Sequence, residues 1–92
     1  MLSDFQVGQL VKSKAGHDKG DVLLVVSILD DHYVMVVDGE RRKIDKPKKK
    51  KGIHLKSLKV IDHDLKQLLE TNQPINDALI RRKIKDNLNG SE

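Results

Sequence analysis

The sequence predicts a mainly β protein: a small closed β domain, followed by a C-terminal helical tail. Three observations lead there. Short apolar runs rich in β-branched residues alternate with glycine- and aspartate-containing turns up to about residue 61. After that point the apolar spacing changes to three and four residues. The 92 residues leave room for one compact core, so the chain divides into a β domain over residues 1–61 and a helical extension over 62–92, packed on the barrel or on a partner.

The first strand is Val7 to Lys14, ended by the turn Ala15-Gly16-His17-Asp18-Lys19-Gly20. Val22 to Leu29 is the second, too short for a helix of that hydrophobicity and closed by Asp30-Asp31-His32. Tyr33 to Val37 is the third, ending at Asp38-Gly39. Alternation puts Val22, Leu24, Val26 and Ile28 on one face of the second strand and Leu23, Val25 and Leu29 on the other. Both faces therefore need cover: one fills the barrel interior, and the tail is the candidate for the other. Leu55, Leu58, Val60 and Ile61 supply a last turn and strand that closes the sheet.

In the tail, Asp62 is a candidate N-cap for a short helix carrying Leu65, Leu68 and Leu69 to about Glu70, broken by Thr71-Asn72-Gln73-Pro74. A second helix begins at the cap Asn76, carries Ile80, Ile84 and Leu88 at four-residue spacing, and ends at Asn89-Gly90. Arg81, Arg82 and Lys85 fall mostly away from that apolar stripe. The stripe docks on the barrel, or it meets a protein partner.

Charge is distributed unevenly. The net charge is +4, with a pI near 9.4, which favours a polyanionic partner. Residues 1–39 carry three lysines against six acids, net −3, whereas residues 40–59 carry ten Lys or Arg against two acids, net +8. This segment includes Arg41, Arg42, Lys43, Lys46 and the run Lys48 to Lys51, with Pro47 expected to keep it an extended, mobile loop. Lys12, Lys14, His17 and Lys19 crowd the first hairpin beside it.

The turn Gly16-His17-Asp18-Lys19-Gly20, preceded by Gln9-Leu10-Val11-Lys12 and followed by an apolar strand, resembles the KOW motif. The likeness continues through Val36-Val37-Asp38-Gly39, the basic run, and Ile53-His54-Leu55-Lys56-Ser57-Leu58. Order and spacing are similar to KOW proteins of the eukaryotic-type large-subunit ribosomal protein fourteen group, with Ser57-Leu58 departing from that group's His-Leu pair. The resemblance covers residues 5–61. It implies an SH3-like barrel of about five strands and non-catalytic binding of structured, usually ribosomal, RNA.

The expected RNA contacts are accordingly Lys12, Lys14, His17, Lys19, Arg41, Arg42, Lys43, Lys46, Lys48, Lys49, Lys50 and Lys51. Gly16, Asp18, Lys19 and Gly20 form the KOW turn. With Phe5 and Tyr33 the sole aromatics, recognition should rest on phosphates and shape rather than stacked bases. Replacing Lys48–Lys51 together by serine should then weaken binding and leave stability nearly unchanged. The competing expectation is a protein-interaction adaptor in transcription or translation.

Other chemistries find little support. Cysteine is absent, which removes disulfides and thiolate sites. The four histidines lack metal-ligand spacing, so neither a metal nor a cofactor is expected. Asp30-Asp31 reads as a polar hairpin tip, with no nucleophile or oxyanion donor beside it, so an enzyme is not expected. Residues 1–7 show neither the basic start nor the apolar run of a signal peptide, and no stretch could span a bilayer. A soluble, cytoplasmic protein is expected, and Asn89-Gly90-Ser91 reads as a polar terminus rather than a glycosylation acceptor.

Overall fold

A computed structural model describes residues 5–89. It contains five strands, β1 (Gln9–Ser13), β2 (Val22–Ile28), β3 (Tyr33–Val37), β4 (Lys48–Lys51) and β5 (Leu55–Ile61), and two helices, α1 (His63–Glu70) and α2 (Asp77–Leu88). The strands form one antiparallel sheet in the order β4-β3-β2-β1-β5. Its two edge strands are consecutive in the chain, joined by a single 3-10 turn, Gly52–His54. In a flat five-stranded sheet the edges would lie about 19 Å apart. Four residue steps from Lys51 to Leu55 reach at most about 14 Å, so the sheet must curl strongly to bring its edges together.

Curling gives the sheet an inside and an outside, and β2 supplies both. Leu23 and Val25 point inward, where they are fully buried with Val11, Val34, Val36 and Leu55, and Phe5 packs against them. Leu24 points outward into a second cluster with Leu10, Val37 and the helix residues Leu65, Ile80 and Ile84, flanked by Val22 and Val26. The expected facing of β2 thus holds as far as Val26, and the helical tail covers the outer face.

Beyond Val26 the alternation slips. Val25 pairs with Val36 but Ile28 pairs with Val34, so β2 spends one more residue than β3 over that stretch. This bulge moves Ile28 opposite an inward residue and off the face of Leu24, correcting the expected phase. Ile28 and Leu29 both end up exposed. A larger irregularity lies in β5, where Leu10 pairs with Val60 but Val11 with Ser57. Leu58 and Lys59 are inserted, Lys59 at φ +59°, and the Ser57 hydroxyl accepts the Lys59 N–H at 3.0 Å. The insertion lets Leu58 and Val60 both reach the outer cluster.

Both helices start where capping residues predict. Asp62 Oδ1 accepts the Leu65 N–H at 2.9 Å, and Asn76 Oδ1 accepts the Leu79 N–H at 2.8 Å. Asp62 also uses its second oxygen to accept from Asn87 Nδ2 at 2.8 Å, tying the end of α2 to the start of α1. Two glycines permit the close docking. A Cβ on Gly8 (φ +89°) would lie 2.7 Å from Lys66 Cβ on α1, and one on Gly39 (φ +81°) 2.6 Å from the Asp77 carbonyl oxygen on α2.

In α2, Ile80 is fully buried and Ile84 nearly so, but Leu88 is 53% exposed, so the expected stripe docks through two of its three residues. Asn89 caps the helix by donating its N–H to the Lys85 carbonyl at 3.0 Å. Gly90 and Ser91 of the expected polar C-terminus, and residues 1–4, lie outside the described residues. Among the described residues no helix is long and apolar enough to cross a membrane.

Candidate nucleic-acid interface

The lysine run is a strand, not the mobile loop expected from its composition. Lys48 pairs with Val36, Lys49 with Met35, Lys50 with Val34 and Lys51 with Tyr33. Because Val34 and Val36 are inward residues, Lys48 and Lys50 share their side of the sheet, while Lys49 and Lys51 face outward. Pro47 stands just before the first ladder position, where its missing N–H costs nothing.

Both inward lysines approach the carboxylate of the glycine turn. Lys50 Nζ donates to Asp18 Oδ1 at 2.7 Å and to the Ala15 carbonyl at 3.0 Å. Lys48 Nζ lies 3.9 Å from Asp18 Oδ2. The Ser13 hydroxyl, 3.0 Å from Asp18 Oδ1 and 2.9 Å from the Ala15 carbonyl oxygen, completes the cluster. Burial pushes the Asp18 carboxyl upward, but the hydrogen bonds from Lys50 and Ser13 and the charges of Lys50 and Lys48 outweigh it and hold its pKa below the ordinary 3.8. Asp18 Oδ2 is buried without a hydrogen-bond partner, with Lys48 Nζ 3.9 Å away.

Lys50 is only 7% exposed. It therefore holds the β1–β2 turn to β4 instead of meeting a ligand at the surface, which corrects its expected role as a direct contact. The expectation that four serines at Lys48–Lys51 would spare stability falls with it, because they would leave Asp18 buried without a counter-charge.

The turn itself is built on Gly16 (φ +87°) and Gly20 (φ +91°). Gly20 N–H reaches the Ser13 carbonyl at 2.8 Å and Asp21 N–H the Asp18 carbonyl at 2.9 Å. His17 and Lys19 are exposed at its tip, and a Cβ on Gly20 would meet nothing within 4 Å. One end of the sheet thus gathers residues 12–19 and the first part of residues 41–51, the two segments expected to cooperate, while Lys51, opposite Tyr33, lies toward the β2–β3 turn. A second contact follows just after the turn: Arg41 lies 3.7 Å from the half-buried Asp21, an ion pair of little energetic weight.

The β3–β4 connection is anchored by its backbone. Asp38 Oδ1 accepts the N–H of Glu40 at 2.9 Å and of Arg42 at 2.8 Å. Ile44 N–H donates to Asp77 Oδ1 at 2.8 Å, fastening the loop to the start of α2. Arg41, Lys43 and Lys46 are exposed, while Arg42 is half-buried. Lys12, Lys14, Lys49 and Lys51 are also exposed. Lys49 Nζ sits 4.4 Å from the centroid of the half-buried Tyr33 ring.

Beside this end, a groove of about 480 Å³ runs between Gly20, Val22, Arg41 and the Arg81, Ile84, Leu88 side of α2. Asp21, Asp38 and Glu40 line it together with Arg41, Arg81 and Lys85, so its wall is mixed in charge. No group of three or more metal-ligating side chains forms among the described residues. Compared with protein-family models and with curated proteins, the chain matches none.

Sequence reading missed the Asp18–Lys50 pair, because four identical letters carry no alternation. The signal lay in the partner strand, Tyr33-Val34-Met35-Val36, whose valines mark the inward register.

Proposed function

We propose that this chain is a non-catalytic RNA-binding module, an SH3-like barrel of the KOW type that engages structured RNA through phosphate and shape contacts. The RNA in this reading is ribosomal or ribosome-bound, and the setting is cytoplasmic translation. The observation that carries it is the division of labour in β4. Asp18 of the glycine turn pairs with the buried Lys50 and lies 3.9 Å from the half-buried Lys48, while Lys49 and Lys51 stay outward and exposed. Lys19 and His17 on the turn, Arg41, Lys43 and Lys46 on the β3–β4 connection, and Lys49 and Lys51 on the outer side of β4 are the exposed cations available to a phosphate backbone. Contacts held by strands lose less entropy on binding than a free lysine loop would.

Co-sedimentation with ribosomal subunits tests the reading, with ribonuclease and high salt as controls. The intact protein should travel with subunits at low salt and be released by either treatment. K49S/K51S, which spares the buried pair, should reduce association with no change in melting temperature. Free migration of the intact protein at low salt would reject RNA binding.

The exposure of Leu88 beside the groove favours a second reading, an adaptor that meets a protein through α2. Leu88→Ser would then abolish protein association while leaving subunit binding intact.

A further inference from the structure

The β4–β5 corner carries a second cationic surface that the lysine run does not include. Ser13 and Leu55 lie opposite each other in the β1–β5 ladder, and both are buried on the inner side. Their neighbours along each strand must face outward. Lys12 stands directly opposite Lys56, and Lys14 N–H donates to the His54 carbonyl at 2.7 Å, extending the ladder by one bond. All four of these side chains are exposed.

Like charges in register across a ladder repel, and a fold gains nothing by placing them so. None of the four enters an ion pair among the described residues. The 3-10 turn joins this patch to the outward lysines of β4, since it starts after Lys51 and ends at His54. Ile53, between them, is 68% exposed, the largest exposure among the exposed large hydrophobic residues. A lone exposed isoleucine is ordinary. This one is held rigidly in a turn between Lys51 and the in-register Lys12 and Lys56. The turn is pinned on both sides, by Gly52 N–H to the His32 carbonyl at 2.8 Å and by the Lys14–His54 bond.

We infer that this corner is a further RNA-contact site, in which Lys12 and Lys56 bind backbone phosphates and Ile53 packs into the gap left by an unstacked or bulged nucleotide. The inference rests on the RNA-binding reading above and specifies its substrate class: paired RNA interrupted by an unpaired base, rather than continuous duplex. Apolar wedges at disturbed steps are a known way to read nucleic acid without aromatic stacking.

The test uses fluorescence anisotropy with two labelled RNAs, a stem-loop with one bulged nucleotide and a fully paired stem-loop of equal length, from about 50 to about 300 mM KCl. K12S/K56S should lower the slope of log affinity against log salt by about 1.4 to 1.8 on both RNAs. I53S should weaken the bulged RNA about five- to tenfold, leave its salt slope unchanged, and leave the paired RNA unaffected. All three residues are exposed, so melting temperatures should match the parent. An unchanged slope in K12S/K56S overturns the phosphate assignment. Equal affinity losses on both RNAs in I53S, or none, overturn the wedge. If both variants behave like the parent while K49S/K51S loses affinity, this inference fails and the RNA reading stands. If the parent protein binds neither RNA at low salt, both fail.

Discussion

Lys50 and Asp18, 32 residues apart in sequence, meet at 2.7 Å with both side chains almost fully withdrawn from water. Removing one partner of such a pair strands the other. Lys50→Ala should therefore cost about 3 to 5 kcal/mol in denaturant unfolding, whereas Lys49→Ala and Lys51→Ala, on the outward side of the same strand, should stay within about 0.5 kcal/mol. Equal effects at these three lysines would mean that the strand does not alternate as described.

Acid should attack the same pair. The folded pKa of Asp18 is depressed, so its carboxylate contributes stability that is fully present above the unfolded value of about 3.9 and is lost as pH falls through the folded value. Asp18→Asn mimics the protonated group at every pH. The stability gap between parent and D18N should be constant above about pH 5 and close progressively below pH about 4. A gap that widened on acidification would show that the Asp18 pKa is raised on folding.

Much of the scaffold was legible in the sequence because local chemistry agreed with the global fold. Gly16 and Gly20 marked a turn, Asp62 and Asn76 marked helix starts, and the doubly apolar β2 demanded cover on two sides. What the sequence concealed was register. Nothing in Ser27-Ile28 announces a bulge, and nothing in Ser57-Leu58-Lys59 announces an insertion, since each is settled by which neighbour the extra residue faces. Composition misled at Lys48–Lys51, where a polar run took a ladder position on an edge strand. Edge strands favour lysine, which discourages pairing with another chain. At the candidate site, sequence identified the cations but not which of them are already neutralised.

Gly39 and Gly20 share a positive φ but differ in surroundings. Alanine at Gly20 meets open space, so its cost should be limited to the left-handed backbone, about 1 to 2 kcal/mol. At Gly39 the new methyl would lie 2.6 Å from the Asp77 carbonyl oxygen and 2.9 Å from Arg81 Cγ. G39A must therefore push α2 off the β3–β4 turn, and it should destabilise more than G20A in urea unfolding. The reverse order would mean that α2 does not rest on that turn.

The tail is the other half of a core shared with the sheet, as the burial of Leu10, Leu24 and Val37 against Leu65, Ile80 and Ile84 requires. Ile80→Ala should cost about 2 to 5 kcal/mol, the range for a fully buried aliphatic side chain. Leu88→Ala, at a half-exposed position, should change stability by less than about 0.5 kcal/mol. Truncation after Leu69 would uncover the outer face of the sheet, so the shortened chain should lose its cooperative thermal transition and expose apolar surface to a hydrophobic dye. A truncated chain that melts cooperatively near the parent temperature would mean that the outer cluster is dispensable. α2 would then be an appendage held ready for a partner rather than part of the fold.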